Sequence, residues 1–231
     1  MKQSVAQLTQ FPGVWRGGEL ERVVHATVPT GHARLDRELP GGGWPVGTLS
    51  EVLHDGVGIG EIGFLAGALA RASAEDRLVA WIHPPHLPYA PALAQAGVKT
   101  ERCLVARPAD RDDALWAAEQ ALKSGACGAV LFWPDAKVDY AALRRLQMAA
   151  EVGRTMAVLF RSTAAERLST PAHLRVVLAR QEGLLTLRIP KRRGPPLVAP
   201  ITLSVGRARY VASPAAKPMP VRARALHLVG R

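Results

Sequence analysis

Between Glu51 and Gly63 the chain reads Glu-Val-Leu-His-Asp-Gly-Val-Gly-Ile-Gly-Glu-Ile-Gly. Gly56, Gly58 and Gly60 expose backbone amides just ahead of a helical pattern. This is how a phosphate cradle is built, because the amides and the positive end of the helix both attract an anion. A P-loop, however, closes on Gly-Lys-Ser/Thr, with the lysine on the terminal phosphates and the hydroxyl on magnesium. Here the triplet is Gly60-Glu61-Ile62. Glu61 puts a negative charge where the nucleotide's own charge would lie, and Ile62 cannot hold a metal, so Coulomb repulsion opposes a triphosphate. Gly58-x-Gly60-x-x-Gly63 matches the dinucleotide fingerprint, but the next apolar run, Leu78 to Ile82, lacks the acidic residue that pattern requires. The favoured reading is a glycine loop kept for tight strand–helix packing, with no cofactor.

Other reactive side chains form weaker patterns. His83 and His86 have the spacing of a ligand pair, and His54 could join them at the strand ends. Pro84 and Pro85 separate the pair and no third ligand follows at a suitable spacing, so no metal is expected. Cys103 and Cys127 lie in or beside apolar runs and read as buried thiols. Trp44, Trp81, Trp116 and Trp133 read as core or cleft-lining residues, and Arg144 and Arg145 as a solvated helix face. No Gly-x-Ser-x-Gly elbow occurs, so serine hydrolase chemistry has no support.

The basic residues are distributed unevenly. Of 231 residues, 30 are Lys or Arg and 19 are Asp or Glu, a formal charge of +11. From Gly183 onward there is no acid, and the basic residues are Arg188, Lys191, Arg192, Arg193, Arg207, Arg209, Lys217, Arg222, Arg224 and Arg231. A near-neutral body therefore carries a strongly basic C-terminal fifth. Such a segment attracts phosphate backbones or an acidic protein surface, and the sequence does not choose between them. Its single aromatic, Tyr210, gives little for bases to stack on. The sequence places Lys191-Arg-Arg-Gly194 in an exposed turn between strands.

Composition and pattern set the frame for these groups. Two cysteines exclude a disulfide scaffold. The longest charge-free stretch, Leu78 to Val98, contains four prolines, which a membrane span would tolerate poorly. No secretory leader is visible at the N-terminus, and a cytoplasmic protein is expected. Short apolar runs alternate with helical periodicity through the middle of the chain, the signature of a parallel α/β sheet. Strands are expected at Thr48–Leu53, Leu78–Ile82, Cys103–Ala106, Ala129–Trp133 and Met156–Phe160. Helices are expected at Gly60–Ser73, Pro88–Gln95, from the Asp110 cap through Lys123, and at Tyr140–Val152. Leu174–Ala179, Leu184–Ile189 and Pro200–Val205 then read as strands without intervening helices, an antiparallel extension of the sheet. Residues 1–25 read as an N-terminal arm containing Phe11 and Trp15, 26–205 as one domain, and 206–231 as a flexible basic tail.

The glycine-rich leader, Val28-Pro-Thr-Gly-His-Ala-Arg-Leu-Asp36 followed by Leu39-Pro-Gly-Gly-Gly-Trp-Pro-Val-Gly-Thr-Leu-Ser-Glu-Val52, resembles the entry to the core of RecA-type recombinases. With the Gly-x-Gly-Glu loop at 58–61, Gly-Ala at 125–126, the Arg161 region and Ile189-Pro-Lys-Arg-Arg-Gly-Pro, the chain is similar to the ImuA family over about residues 25–205. That family comprises RecA-like, SulA-related proteins of bacterial translesion-synthesis cassettes. The resemblance implies a RecA-like core with a mostly parallel sheet flanked by helices. It sets the P-loop Lys and Thr on Glu61 and Ile62, the catalytic glutamate near Pro85, and the Walker B aspartate on Trp133 or, with a slip of two, Asp135. The expectation is a pseudo-ATPase, since phosphoryl transfer depends on those parts. The implied role is non-catalytic and belongs to SOS-induced mutagenesis. The implied partners are RecA, an ImuB-type inactive Y-family polymerase, an error-prone replicative-type polymerase subunit and DNA, with nucleoid association after damage. Alternatives are a nucleotide-binding DNA-dependent ATPase with an unusual loop and a SulA-like division inhibitor.

Overall fold

The computed structural model describes residues 26–204, apart from 75, 135, 136, 195, 196 and 198. The expected arm and tail, with Arg207, Arg209, Lys217, Arg222 and Arg224, lie outside the described residues, as does Asp135.

The leader forms a small ribbon, β1 (Thr27–Val28) paired with β2 (Trp44–Pro45), around the short helix α1 (Ala33–Glu38). The main elements follow in the expected alternation. They are β3 (Thr48–Leu53), α2 (Glu61–Ala74), β4 (Leu78–Ile82), α3 (Ala90–Gln95), β5 (Cys103–Ala106), α4 (Arg111–Lys123), β6 (Cys127–Phe132), α5 (Tyr140–Gly153) and β7 (Met156–Arg161). After a 3-10 turn at Thr163–Arg167 come β8 (Leu174–Gln181), β9 (Leu184–Lys191) and β10 (Ile201–Leu203). One eight-stranded sheet has the order β10-β9-β8-β3-β7-β6-β4-β5. It is a mostly parallel mixed sheet flanked by helices, the RecA-like α/β fold.

Helix ends are set by local chemistry. Asp110 caps α4 by accepting from the Asp113 amide at 2.8 Å, and Asp139 caps α5 by accepting from the Ala142 amide at 2.7 Å, each satisfying an orphan N–H. At the opposite ends, one Nη of Arg77 reaches the carbonyls of Gly125, Cys127, Gly153 and Arg154. It thereby sets a cation against the negative C-termini of both helices. Helix α2 covers one face of the sheet and α4 with α5 the other, giving two cores. Gly128 on β6 is required by the first of these contacts. A Cβ there would lie 2.6 Å from the Ala72 carbonyl of α2.

The expected antiparallel extension is present, with β8 paired antiparallel to β9 and β9 to β10, and it joins the sheet through a parallel pairing of β8 with β3. Two other expectations are corrected. The two-residue turn Glu182-Gly183, with φ of 48° and 82°, folds β9 back on β8. That pairing also runs to Lys191, opposite Arg175, so Lys191 is a strand residue rather than part of a turn. Trp116 is neither core nor cleft. It is 65% exposed, because α4 buries Ala114, Leu115, Ala118 and Leu122 and position 116 projects away from that face. No helix among the described residues is long and apolar enough to cross a membrane.

Candidate functional site

The strand order reverses at β3, which has β7 on one side and β8 on the other, and α2 leaves β3 to reach β4 across two intervening strands. In an open α/β sheet the ligand crevice lies beyond the carboxyl ends of the strands at such a point. A cleft of about 330 Å³ lies there, lined by residues that include His54, Asp55, Gly56, Val57, Glu61, His83, Pro85, Trp133, Phe160 and Arg161.

Glu61 fills the cradle from inside the protein. Its Oε1 accepts from the Gly58 amide at 3.3 Å and its Oε2 from the Gly60 amide at 3.0 Å, with only 6% of the residue exposed. Gly60 supplies the turn into the helix at φ 107°, a backbone conformation that a side chain would disfavour. The carboxylate thus stands at the N-terminus of α2, on the amides a phosphate would use. Two unit charges about 4 Å apart near a protein surface repel by about 4 kcal/mol, roughly a thousandfold in affinity. An anion entering here must displace Glu61 or sit beside it. Ile62, the next residue, is half-buried against the core and offers no ligand.

Stacked rings line another part of the crevice. Trp133, just past the end of β6, stacks on Phe160 at 4.2 Å and on Trp81 at 5.9 Å, and His54 meets Phe160 edge-on at 5.8 Å. Pro85 lines the same cleft, where an acid would be needed to position an attacking water. His54 and His83 line it and His86 does not. Among the described residues, no group of three His, Cys, Asp or Glu side chains is arranged to hold a metal.

Two features were missed by reading the sequence. Asp55 stands where the P-loop pattern has its first glycine. It ties the loop to the end of β7, accepting from the Ser162 hydroxyl at 2.9 Å, the Thr163 amide at 3.1 Å and the Thr163 hydroxyl. These hydrogen bonds, the Thr163 hydroxyl first, lower the Asp55 carboxyl below its ordinary value. A depressed folded-state value contributes stability that is present above the unfolded value and lost as pH falls through the folded one. Wild type is therefore expected to be more stable than Asp55→Asn at neutral pH. The gap should close as pH drops below the ordinary aspartate range of about 3.9, as read by chemical denaturation at a series of pH values. A gap that stays constant into acid would show that Asp55 contributes no ionised hydrogen bonds.

The second missed feature is Glu51, fully buried on β3. Its Oε1 accepts from Arg161 Nη1 at 2.7 Å. Its Oε2 accepts from Arg175 Nε at 2.7 Å, with Arg175 Nη2 at 2.6 Å but out of hydrogen-bonding alignment. No motif announces this cluster, since the three residues are up to 124 positions apart.

The basic residues expected to meet a partner have varied surroundings. Arg188 forms a bidentate pair with Glu166, both contacts at 2.8 Å, on the exposed face of β9. Arg192 is half-buried and donates to the carbonyl and the carboxylate of Glu38. Lys191 donates to the Thr170 carbonyl at 2.7 Å, and Arg193 is exposed.

No protein-family model matches the chain. RecA of Cutibacterium acnes is 34% identical over 113 residues, 49% of this chain and 32% of that protein. RecA 1 of Myxococcus xanthus is 31% identical over 110 residues, 48% of this chain and 32% of its own length. The chain thus spans about a third of the length of these curated relatives. A crystal structure of SulA from Pseudomonas aeruginosa matches with a TM-score of 0.42 and 28% sequence identity, over 49% of this chain and 97% of that one. Over about half its length the chain is a distant homologue of RecA, carried on a RecA-like α/β fold.

Proposed function

We propose that this protein is a non-catalytic RecA-like factor of the DNA-damage response that works by contact. Its finer role on this reading is accessory to SOS-induced translesion synthesis. Its partners are RecA itself and an error-prone polymerase assembly, namely an ImuB-type inactive Y-family polymerase and a replicative-type subunit. The observation that carries the reading is the Glu61 carboxylate on the Gly58 and Gly60 amides. A group that donates negative charge into a phosphate cradle makes nucleotide binding unfavourable, and the lysine and hydroxyl that would drive phosphoryl transfer are replaced by Glu61 and Ile62. The ring stack of Trp81, Trp133 and Phe160 supports it, because it occupies with apolar surface the strand ends where a metal-bound phosphate would need carboxylates. The partial similarity to RecA supports the contact role, since a RecA-like body without turnover can still offer a RecA-like surface.

Equilibrium titration of the full chain with ATP and magnesium is expected to show no saturable binding in the micromolar range. Co-sedimentation with RecA on single-stranded DNA is expected to retain the chain. ATP turnover that disappears on changing residues around Gly60 would remove the proposal in favour of a working ATPase.

A further inference from the structure

An open cavity of about 380 Å³ lies away from the crevice, between the segment that follows the 3-10 turn and the end of β9. It is lined by Glu166, Leu168, Ser169, Thr170, Arg175, Pro190 and Lys191. Charged side chains tie its wall to the neighbouring strands. Arg161 and Arg175 share Glu51. Arg175 Nη1 also donates to the carbonyls of Glu166 at 2.8 Å and Leu168 at 3.0 Å, which holds the cavity wall in place. Arg188 is paired with Glu166, and Lys191 stands opposite Arg175 in the β8–β9 ladder. The cavity wall itself carries two cations, Arg175 and Lys191, against one carboxylate, Glu166, so one positive charge is left over around a partly enclosed space.

We infer that this cavity is a phosphate site, with Lys191 as its cation and the Ser169 and Thr170 hydroxyls as further donors, and that its ligand is a phosphodiester of a nucleic-acid strand. Burial, and next the charge of Arg175, hold the Lys191 ammonium below the ordinary lysine range, so its surroundings are improved by an arriving anion. The choice of phosphate over carboxylate follows from the donors. The forked guanidiniums that suit carboxylates are already committed, Arg175 to Glu51 and Arg188 to Glu166. What remains is an ammonium, a point charge, beside two hydroxyls, the donor set that proteins place on phosphate oxygens. A strand also suits the chain beyond the site, where Arg207, Arg209, Lys217, Arg222 and Arg224 follow without an acid. Arg188 is a positioning residue here, since its contacts are with Glu166 and not with the space itself.

The test uses the full chain and leaves the crevice untouched, so it succeeds or fails independently of the nucleotide question. Binding of a labelled single-stranded oligonucleotide is measured by anisotropy across a salt series for wild type, Lys191→Ala and Ser169→Asp, with melting curves confirming folded variants. Both variants are expected to bind several-fold more weakly, and Lys191→Ala to lower the slope of log affinity on log salt by about 0.7, one phosphate contact. The basic residues after 204 are common to all three proteins, so they cannot produce that difference. Affinity and slope that are the same in all three proteins would overturn the site. Inorganic phosphate that protects wild type but not Lys191→Ala, with no oligonucleotide bound, would make free phosphate the ligand and overturn the assignment to nucleic acid. Polyglutamate that displaces the oligonucleotide from wild type but not from Lys191→Ala would do the same in favour of an acidic partner.

Discussion

Replacing Glu51 with alanine is expected to lower stability by about 3–5 kcal/mol, the range found when one partner of a buried ion pair is removed. The side chain is fully buried, and those of Arg161 and Arg175 are 7% and 5% exposed. Without the carboxylate, two guanidiniums remain close together in a poorly solvated space. Their desolvation is then uncompensated and they also repel each other. The loss is read from the urea unfolding midpoint. A companion variant separates lost attraction from uncompensated charge. Replacing all three residues with methionine removes the desolvation problem along with the pairs, and should recover much of the deficit. Recovery will be partial, because Arg175 also satisfies the carbonyls of Glu166 and Leu168. If Glu51→Ala stays within about 1 kcal/mol of wild type, the cluster does not join β3, β7 and β8 in the way described.

The second large effect is at Glu61. Glu61→Ala removes charge-assisted hydrogen bonds to two loop amides, each worth about 1.5–3 kcal/mol, and a favourable charge at the start of α2. Wild type should therefore unfold at a distinctly higher denaturant concentration. The opened cradle has the opposite consequence for anions. With the Gly58 and Gly60 amides free and no carboxylate in the way, pyrophosphate should stabilise Glu61→Ala and leave wild type unchanged. Thermal unfolding with and without millimolar pyrophosphate makes the comparison. If both proteins respond alike, Glu61 is not what keeps phosphate out.

These two glutamates mark the limits of what could be read from the linear chain. Glu61 was visible because its significance is local. The pattern Gly-x-Gly-x-Gly-Glu sets the acid against amides one and three residues earlier, and the helical periodicity of Ile62, Leu65, Leu69 and Ala72 places it in the first turn. Glu51 was invisible because a buried carboxylate on a central strand looks, in sequence, like an exposed residue of an edge strand. Its partners are Arg161 and Arg175, on strands that reach β3 only after the chain has crossed the sheet. Asp55 lies in between. It was inside the motif, but its partners Ser162 and Thr163 come from the other end of the domain.

The sequence by itself determined the alternation of elements, because strand and helix periods and caps such as Asp110 and Asp139 are set by neighbours a few residues away. It also determined which residues occupy the Gly60-Glu61-Ile62 junction, and so that a carboxylate stands at the start of α2. Only the tertiary structure decided that β8 runs parallel to β3, that Trp133 and Phe160 stack across the strand ends, and that Arg175 and Lys191 face one cavity. Each depends on which strands become neighbours, and that is settled by burying two apolar faces of one sheet together. A hydrophobic driving force of that kind is non-directional and leaves no spacing rule in the chain. The basic residues show the same division. Their excess was plain in the composition, but only the folded pairings of Arg188 with Glu166 and Arg192 with Glu38 distinguish the charges already matched by a carboxylate from the ammonium of Lys191, which lines the cavity.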